Sequence, residues 1–256
     1  MACIAALFYA LKPGANGASP GRLVVVGGGT IGDEIRDRFI AEAGGKGIRL
    51  LIVPQASSLE NAGERHAAPF REKGVRSVFI LDLGDRRDAV KAIESADAIW
   101  FGGGQQSRLM EKLEAVALVE VIRRRHLEGV VMGGTSAGAA VMSDLMISGD
   151  ALPIDQGLAL WPEVVVDQHF VARKRFNRSL RTIMDHPEKL GVGIGESTAV
   201  LVDPGDGTGE ALGEGVVTVI DARKAERSGE GKGERQSWRG VRVDWLRAGQ
   251  TFNFRK

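Results

Sequence analysis

A serine between two closely spaced glycines is the strongest chemical feature of this chain. Gly134-Thr135-Ser136-Ala137-Gly138 fits G-x-S-x-G, the pattern of a nucleophile elbow. There a tight strand-to-helix turn lifts the serine hydroxyl out of the sheet and aims the next N–H at the reacting oxygen. Upstream, Gly129-Val130-Val131-Met132 reads as a short buried strand; downstream, Ala139-Ala140-Val141-Met142 reads as a helix start. Small residues suit a cramped backbone that a substrate must approach. The competing reading is a glycine-rich turn that only packs a helix onto a sheet.

A serine needs a base to become nucleophilic at neutral pH. His169 ends a β-branched run in Val166-Asp167-Gln168-His169-Phe170, a suitable place for one. His66, His126 and His186 lie in polar, helix-like stretches and read as surface residues. An imidazole base needs a third group to orient it. Glu196, in Gly193-Ile194-Gly195-Glu196-Ser197-Thr198, lies between two apolar strands. It is expected to be partly buried, which is costly for an unpaired carboxylate, and His169 is a plausible partner. Asp185 and Glu188 read as ordinary helix-surface charges. The order serine, histidine, acid differs from the serine, acid, histidine order of α/β-hydrolases.

Two glycine runs flank these residues. Gly27-Gly28-Gly29-Thr30-Ile31-Gly32 formally matches the dinucleotide fingerprint, whose confirming acid belongs at the end of the second strand. That strand ends Val53-Pro54-Gln55-Ala56-Ser57, without an acid. A close-packed turn near the site is the favoured reading, with nucleotide binding the alternative. Gly102-Gly103-Gly104-Gln105-Gln106 follows the fourth strand, on the sheet edge where such folds bind ligands. One of its N–H groups, assigned to Gly104, is expected to join that of Ala137 as an oxyanion donor.

The elements that must carry these groups alternate. Strands are expected at Arg22–Val26, Ile48–Val53, Val75–Leu81 and Ala98–Phe101, and helices near Thr30–Ala43, Glu60–Lys73, Asp85–Ser95, Gln106–Leu113 and Val116–Leu127. Apolar strands between amphipathic helices predict an α/β fold, a doubly wound and mostly parallel sheet with helices on both faces. Later strands at 163–167, 191–194, 199–202 and 216–221 are separated by turns and predict an antiparallel extension of the same sheet. Residues 223–240 read as an exposed hairpin loop, and 241–254 as strand again.

Composition excludes several classes. At 256 residues there is ample length for a core, and residues 21–256 are expected to form one domain. A net charge of +1 without a basic, aromatic-laced stripe argues against nucleic acid. The single cysteine, Cys3, rules out an internal disulfide framework. The scattered histidines show no metal-ligand spacing, so neither metal nor cofactor is expected. No run is long enough for a membrane helix. Residues 1–20 read as a tail: apolar Ala2–Leu11 precedes a small, polar stretch but has no basic residues before it, so a cytoplasmic protein is favoured over an exported one.

Together, Phe101–Gln106, Gly133–Ala139, Asp167–Phe170 and Gly193–Ala199 resemble the cyanophycinase and aspartyl-dipeptidase family of serine peptidases. That family has a class I glutamine amidotransferase-like fold with serine in place of cysteine. The resemblance spans about 22–221. It implies Ser136 as nucleophile, His169 as base and Glu196 as its orienter, with Gln106, Asp167 and Gln168 lining the substrate pocket. Arg173, Arg175 and Arg178 fall at the family's arginine trio, which points to the cyanophycinase-like branch. Arginine holds carboxylates bidentately, so the trio is expected to take the free carboxylate of a β-linked aspartyl unit; a solvated basic helix face is the bland alternative. Lys174 and Asn177 replace small residues of that branch, and Gly195 a common acid. The implied activity is β-aspartyl (isopeptide) hydrolysis on a β-Asp-Arg or cyanophycin substrate, by a homodimer without cofactors. An α-aspartyl dipeptidase and a non-catalytic amidotransferase-like binding protein are the alternatives.

Overall fold

The computed structural model describes residues 19–149, 154–229 and 237–255. The apolar stretch expected to be a tail or export signal, Ala2–Leu11, lies outside them. Five parallel strands form the middle of the larger sheet: β1 (Leu23–Val26), β2 (Arg49–Val53), β3 (Ser77–Ile80), β4 (Ala98–Phe101) and β5 (Val131–Thr135), in the order β3-β2-β4-β5-β1. Helices α1 (Asp33–Glu42), α2 (Ala62–Glu72), α3 (Arg86–Ser95), α4 (Gln106–Ala115) and α5 (Val119–Leu127) connect them. Local chemistry sets the ends. Asp85 caps α3 by accepting from the N–H groups of Arg87 and Asp88 at 2.7 and 3.1 Å, satisfying donors with no intrahelical partner.

Both faces of the central strands β1, β4 and β5 and of β2 after Arg49 are covered, which is why β1, β4 and most of β2 are apolar. Val24, Val26, Ile52 and Trp100 pack with Ile35 and Phe39 of α1 and Phe70 of α2. Val25, Leu51, Val53 and Phe101 pack on the other side with Ile93, Leu109 and Ile122 of α3, α4 and α5. Phe39 and Phe70 stand 5.0 and 5.1 Å from Trp100 by ring centroid, edge-on as aromatic quadrupoles prefer. Gly133 of β5 makes room for them, since a Cβ there would meet the Trp100 ring at 2.6 Å. β5 therefore runs on to Thr135, three residues past the expected end.

After β5 come α6 (Ala137–Ala140), β6 (Leu145–Ile147), β7 (Ile154–Gln156), β8 (Val164–Asp167), α7 (Phe176–Asp185), β9 (Leu190–Ile194), β10 (Thr198–Asp203), β11 (Thr208–Gly213), β12 (Val217–Asp221), β13 (Glu226–Ser228), β14 (Ser237–Arg239), β15 (Arg242–Leu246) and β16 (Thr251–Asn253). β10, β11 and β16 extend the large sheet antiparallel beyond β1, as expected. β8, β9, β12 and β15 do not; they form a second sheet in the order β8-β9-β12-β15, with β8 and β9 parallel. The expectation of one extended sheet is corrected here. The chain changes sheets between β9 and β10 across Gly195-Glu196-Ser197, where Ser197 adopts φ 52°. It changes again after Gly213, at φ 89°. β8, β9 and β12 of one sheet and β10 of the other are all buried on both faces, so apolar pattern alone cannot assign them to one sheet or the other. Among the described residues, no helix is long and apolar enough to cross a membrane.

Candidate active site

The elbow is built from glycine contacts. A Cβ on Gly134 would meet the Gly138 carbonyl at 2.6 Å, and one on Gly138 would strike the Phe101 carbonyl. Both positions must therefore be bare for α6 to press against β4 and β5. Ser136 sits between them at φ 55°, ψ −112°, a conformation that costs a non-glycine residue on the order of 1–3 kcal/mol. Surrounding bonds hold it there. Its N–H donates to Val26 O, and its carbonyl accepts from Ala139 and Ala140, all at 3.0 Å.

Three distant side chains converge on this turn. Ser136 Oγ lies 3.0 Å from His169 Nε2, and His169 Nδ1 lies 2.5 Å from Glu196 Oε1. A carboxylate on Nδ1 favours the tautomer with its proton there, which leaves Nε2 to accept from the serine. His169 follows β8 at φ 50°, with its N–H donating to Gly27 O at 2.7 Å. Glu196 occupies the crossing between the two sheets. Its side chain is 44% exposed, so the expectation of partial burial is corrected; the turn at Ser197 lifts it to the rim.

The run 27–32 is the seat of this pair. A Cβ on Gly28 would collide with the His169 ring, and one on Gly29 would lie 2.9 Å from Glu196 Cβ. A Cβ on Gly32, the third glycine of the formal fingerprint, would meet open space. The close approaches at 28 and 29 account for the motif without a nucleotide.

The second loop presents donors. N–H groups of Gly102, Gly103 and Gln105 go to Val53 O at 2.9 Å, His66 Nε2 at 3.3 Å and Ala56 O at 2.9 Å. The N–H of Gly104, at φ 144°, has no acceptor among the described residues, nor does that of Ala137 at the start of α6. A Cβ on Gly103 would lie 3.6 Å from Ser136 Cβ, which puts this loop beside the serine. Unpaired N–H donors in the residue after the serine and in the loop beside it are candidates to stabilise a tetrahedral oxyanion.

Comparison with known proteins shows the family. The model of Peptidase family S51 matches residues 23–208. The chain belongs to peptidase family S51. It is 38% identical to a cyanophycinase of Geminocystis herdmanii over 229 residues, 82% of this chain and 84% of that one. It is 35% identical to a cyanophycinase of Nostoc sp., over 90% and 85% of the two chains. The crystal structure of a peptidase from an acI-B1 Actinobacterium superposes with a TM-score of 0.69 at 22% identity, covering 92% and 97%, and so shares the fold. The chain is a cyanophycinase-like serine peptidase.

In this S51 chain the remaining expected site residues separate into two groups. Asp167 is only 2% exposed. It accepts from Arg178 Nε at 2.8 Å, from Arg178 Nη2, and from Ser179 Oγ at 2.6 Å, with Arg175 Nη1 at 3.5 Å. Arg175, also buried, donates to Gln168 O at 2.6 Å, and Arg178 to Gly149 O at 2.9 Å. Asp167 and Arg175 are thus internal struts beneath the His169 loop, and their expected place on the pocket wall is corrected. A buried carboxylate needs such partners, and it ties β8 to α7. Gln168 is buried, while half-buried Gln106 donates to Ile147 O at 2.8 Å and so holds α4 to β6. Arg173 alone of the trio is exposed, with no carboxylate partner among the described residues; its N–H donates to His169 O at 3.0 Å.

Two histidines expected on the surface are not there. His126 is 2% exposed, and burial pushes its pKa down to about 4, the backbone of Leu160 and Val130 recovering part of the cost. His66 faces the 102–104 loop. Helical polar sequence misses both, because one apolar neighbour face suffices to bury an imidazole.

Proposed function

We propose that this peptidase hydrolyses β-aspartyl isopeptide bonds of the β-Asp-Arg type through an acyl-enzyme on Ser136. The single observation that carries the reading is the continuous line from Ser136 Oγ through the His169 ring to Glu196, at 3.0 and 2.5 Å. Ser136 Oγ attacks the side-chain-derived carbonyl carbon of the aspartyl unit as Nε2 of His169 takes its proton. Glu196 stabilises the imidazolium that forms. The N–H groups of Ala137 and Gly104 hold the oxyanion; losing one such donor raises the barrier by about 3 kcal/mol. His169 then protonates the leaving amine as the C–N bond breaks. Water, deprotonated by the same imidazole, releases aspartate and regenerates the serine.

The aspartyl unit's free carboxylate needs a cation at the rim, and exposed Arg173 supplies one. Arg175 and Arg178, drawn onto Asp167, fix the loop that carries Arg173 and His169. Names of the relatives, cyanophycinases from two organisms, support the same substrate class. The test is a panel of α- and β-linked aspartyl dipeptides with products read by mass spectrometry. The wild type should cleave β-Asp-Arg, and Ser136→Ala should fold with the same thermal midpoint yet release no arginine. Cleavage by Ser136→Ala at the wild-type rate would refute the assignment.

A further inference from the structure

Outside the catalytic line, the titratable side chain of His66 hydrogen-bonds the donor loop. Its Nε2 accepts from Gly103 N–H at 3.3 Å. Its ring lies flush against the loop, since a Cβ on Gly102 would stand 2.8 Å from His66 Cδ2 and Nε2. On the other side, Ala56 O accepts from Gln105 N–H at 2.9 Å. The peptides before and after the Gly103–Gly104 unit are therefore each fixed by one acceptor, and the N–H left over is that of Gly104. A glycine triplet has no side chains to hold its own peptide planes, so those planes need outside anchors.

We infer that His66 is a positioning residue for the oxyanion donor: its Nε2 lone pair fixes the Gly102–Gly103 peptide and thereby aims the N–H of Gly104 at the atom under attack. The inference rests on the peptidase reading given above. The role requires an unprotonated Nε2, because an imidazolium has no acceptor. Burial, with the charges of Arg65 and Arg36 beside it, holds the His66 pKa below its ordinary value, so Nε2 stays an acceptor at neutral pH. Helix α2 supplies the ring, and among the described residues its hydrogen bond goes to the loop and not to Ser136 or His169.

Three variants test this with β-Asp-Arg as substrate, after thermal unfolding has established that each is folded. His66→Met keeps the bulk and removes the acceptor. His66→Asn keeps an acceptor but is too short to reach Gly103. His66→Gln places a carbonyl oxygen near the position of Nε2. A misaimed oxyanion donor acts on the transition state, so His66→Met and His66→Asn should lose ~10- to 100-fold in kcat with KM within about twofold. His66→Gln should recover most of that loss. Unchanged kcat in the folded Met or Asn variant overturns the inference, and so does an equal loss in all three, which would mean that the ring matters only as filling. An inactive wild type would instead refute the peptidase reading, so the two failures are distinguishable.

Discussion

Replacing Gly28 by alanine should disable the base without touching a catalytic side chain. The new methyl would lie 3.0 Å from Cδ2 of His169 and closer still to Cε1 and Nε2, whereas ordinary contact begins at 3.4 Å. The ring must therefore retreat by about 0.4 Å (3.4 − 3.0) at Cδ2 and by more than that at Cε1 and Nε2. The backbone cannot give way instead. Gly28 O accepts from Ser197 N–H at 3.0 Å, Gly27 N–H donates to Thr198 O at 2.9 Å, and Gly27 O accepts from His169 N–H at 2.7 Å. A displaced imidazole cannot keep both its 3.0 Å contact with Ser136 and its 2.5 Å contact with Glu196. Misplacement approaching 1 Å costs ~10²-fold in rate, or about 2.7 kcal/mol in the barrier at 1.36 kcal/mol per decade. The backbone at φ 111° adds a separate stability cost for alanine. Activity is therefore to be read as kcat below the variant's own unfolding midpoint, with Gly32→Ala, a position facing open space, as the control. Gly28→Ala within threefold of wild type, while folded, would refute the packing argument.

Further outcomes follow from buried and exposed charges. His126 is neutral in the fold, with a pKa of about 4 against an ordinary 6.5. Its stabilisation is complete above pH 6.5 and lost as pH falls through 4, because the unfolded chain takes the proton first. The difference of 2.5 (6.5 − 4) corresponds to about 3 kcal/mol at 1.36 kcal/mol per unit. Urea unfolding at pH 7 and pH 4 should show His126→Leu losing that much less than the wild type; equal losses would contradict the assignment. Arg173→Ala should raise KM for β-Asp-Arg ~10-fold or more with kcat nearly kept, as expected for a contact made equally in ground and transition states. An unchanged KM would move the carboxylate contact elsewhere.

Most of the parallel half was legible because its signals are local. β4 spans the expected Ala98–Phe101, and Asp85 caps α3 where a helix start was read. G-x-S-x-G marked the elbow because Gly134 and Gly138 answer a steric need within four residues. His169 was readable as a polar residue ending a β-branched run. Long-range partners were not legible. The resemblance puts Asp167 on the pocket wall, but Arg175, Arg178 and Ser179 enclose it from α7 and the turn before it. Glu196 was expected to be partly buried because apolar strands flank it, yet the crossing between sheets carries its side chain to the surface. His66 gave no signal, since its partner is a backbone N–H 37 residues away.

The proposed mechanism runs through an acyl-enzyme on Ser136 formed from a β-aspartyl carbonyl. Hydroxylamine partitioning tests it most directly. Hydroxylamine competes with water for an acyl-enzyme, so wild-type protein turning over β-Asp-Arg should yield β-aspartyl hydroxamate alongside aspartate. Arginine release should stay equal to the sum of the two products, and Ser136→Ala should form neither. Steady arginine release with no hydroxamate at saturating hydroxylamine, or hydroxamate formed by Ser136→Ala, would contradict the account.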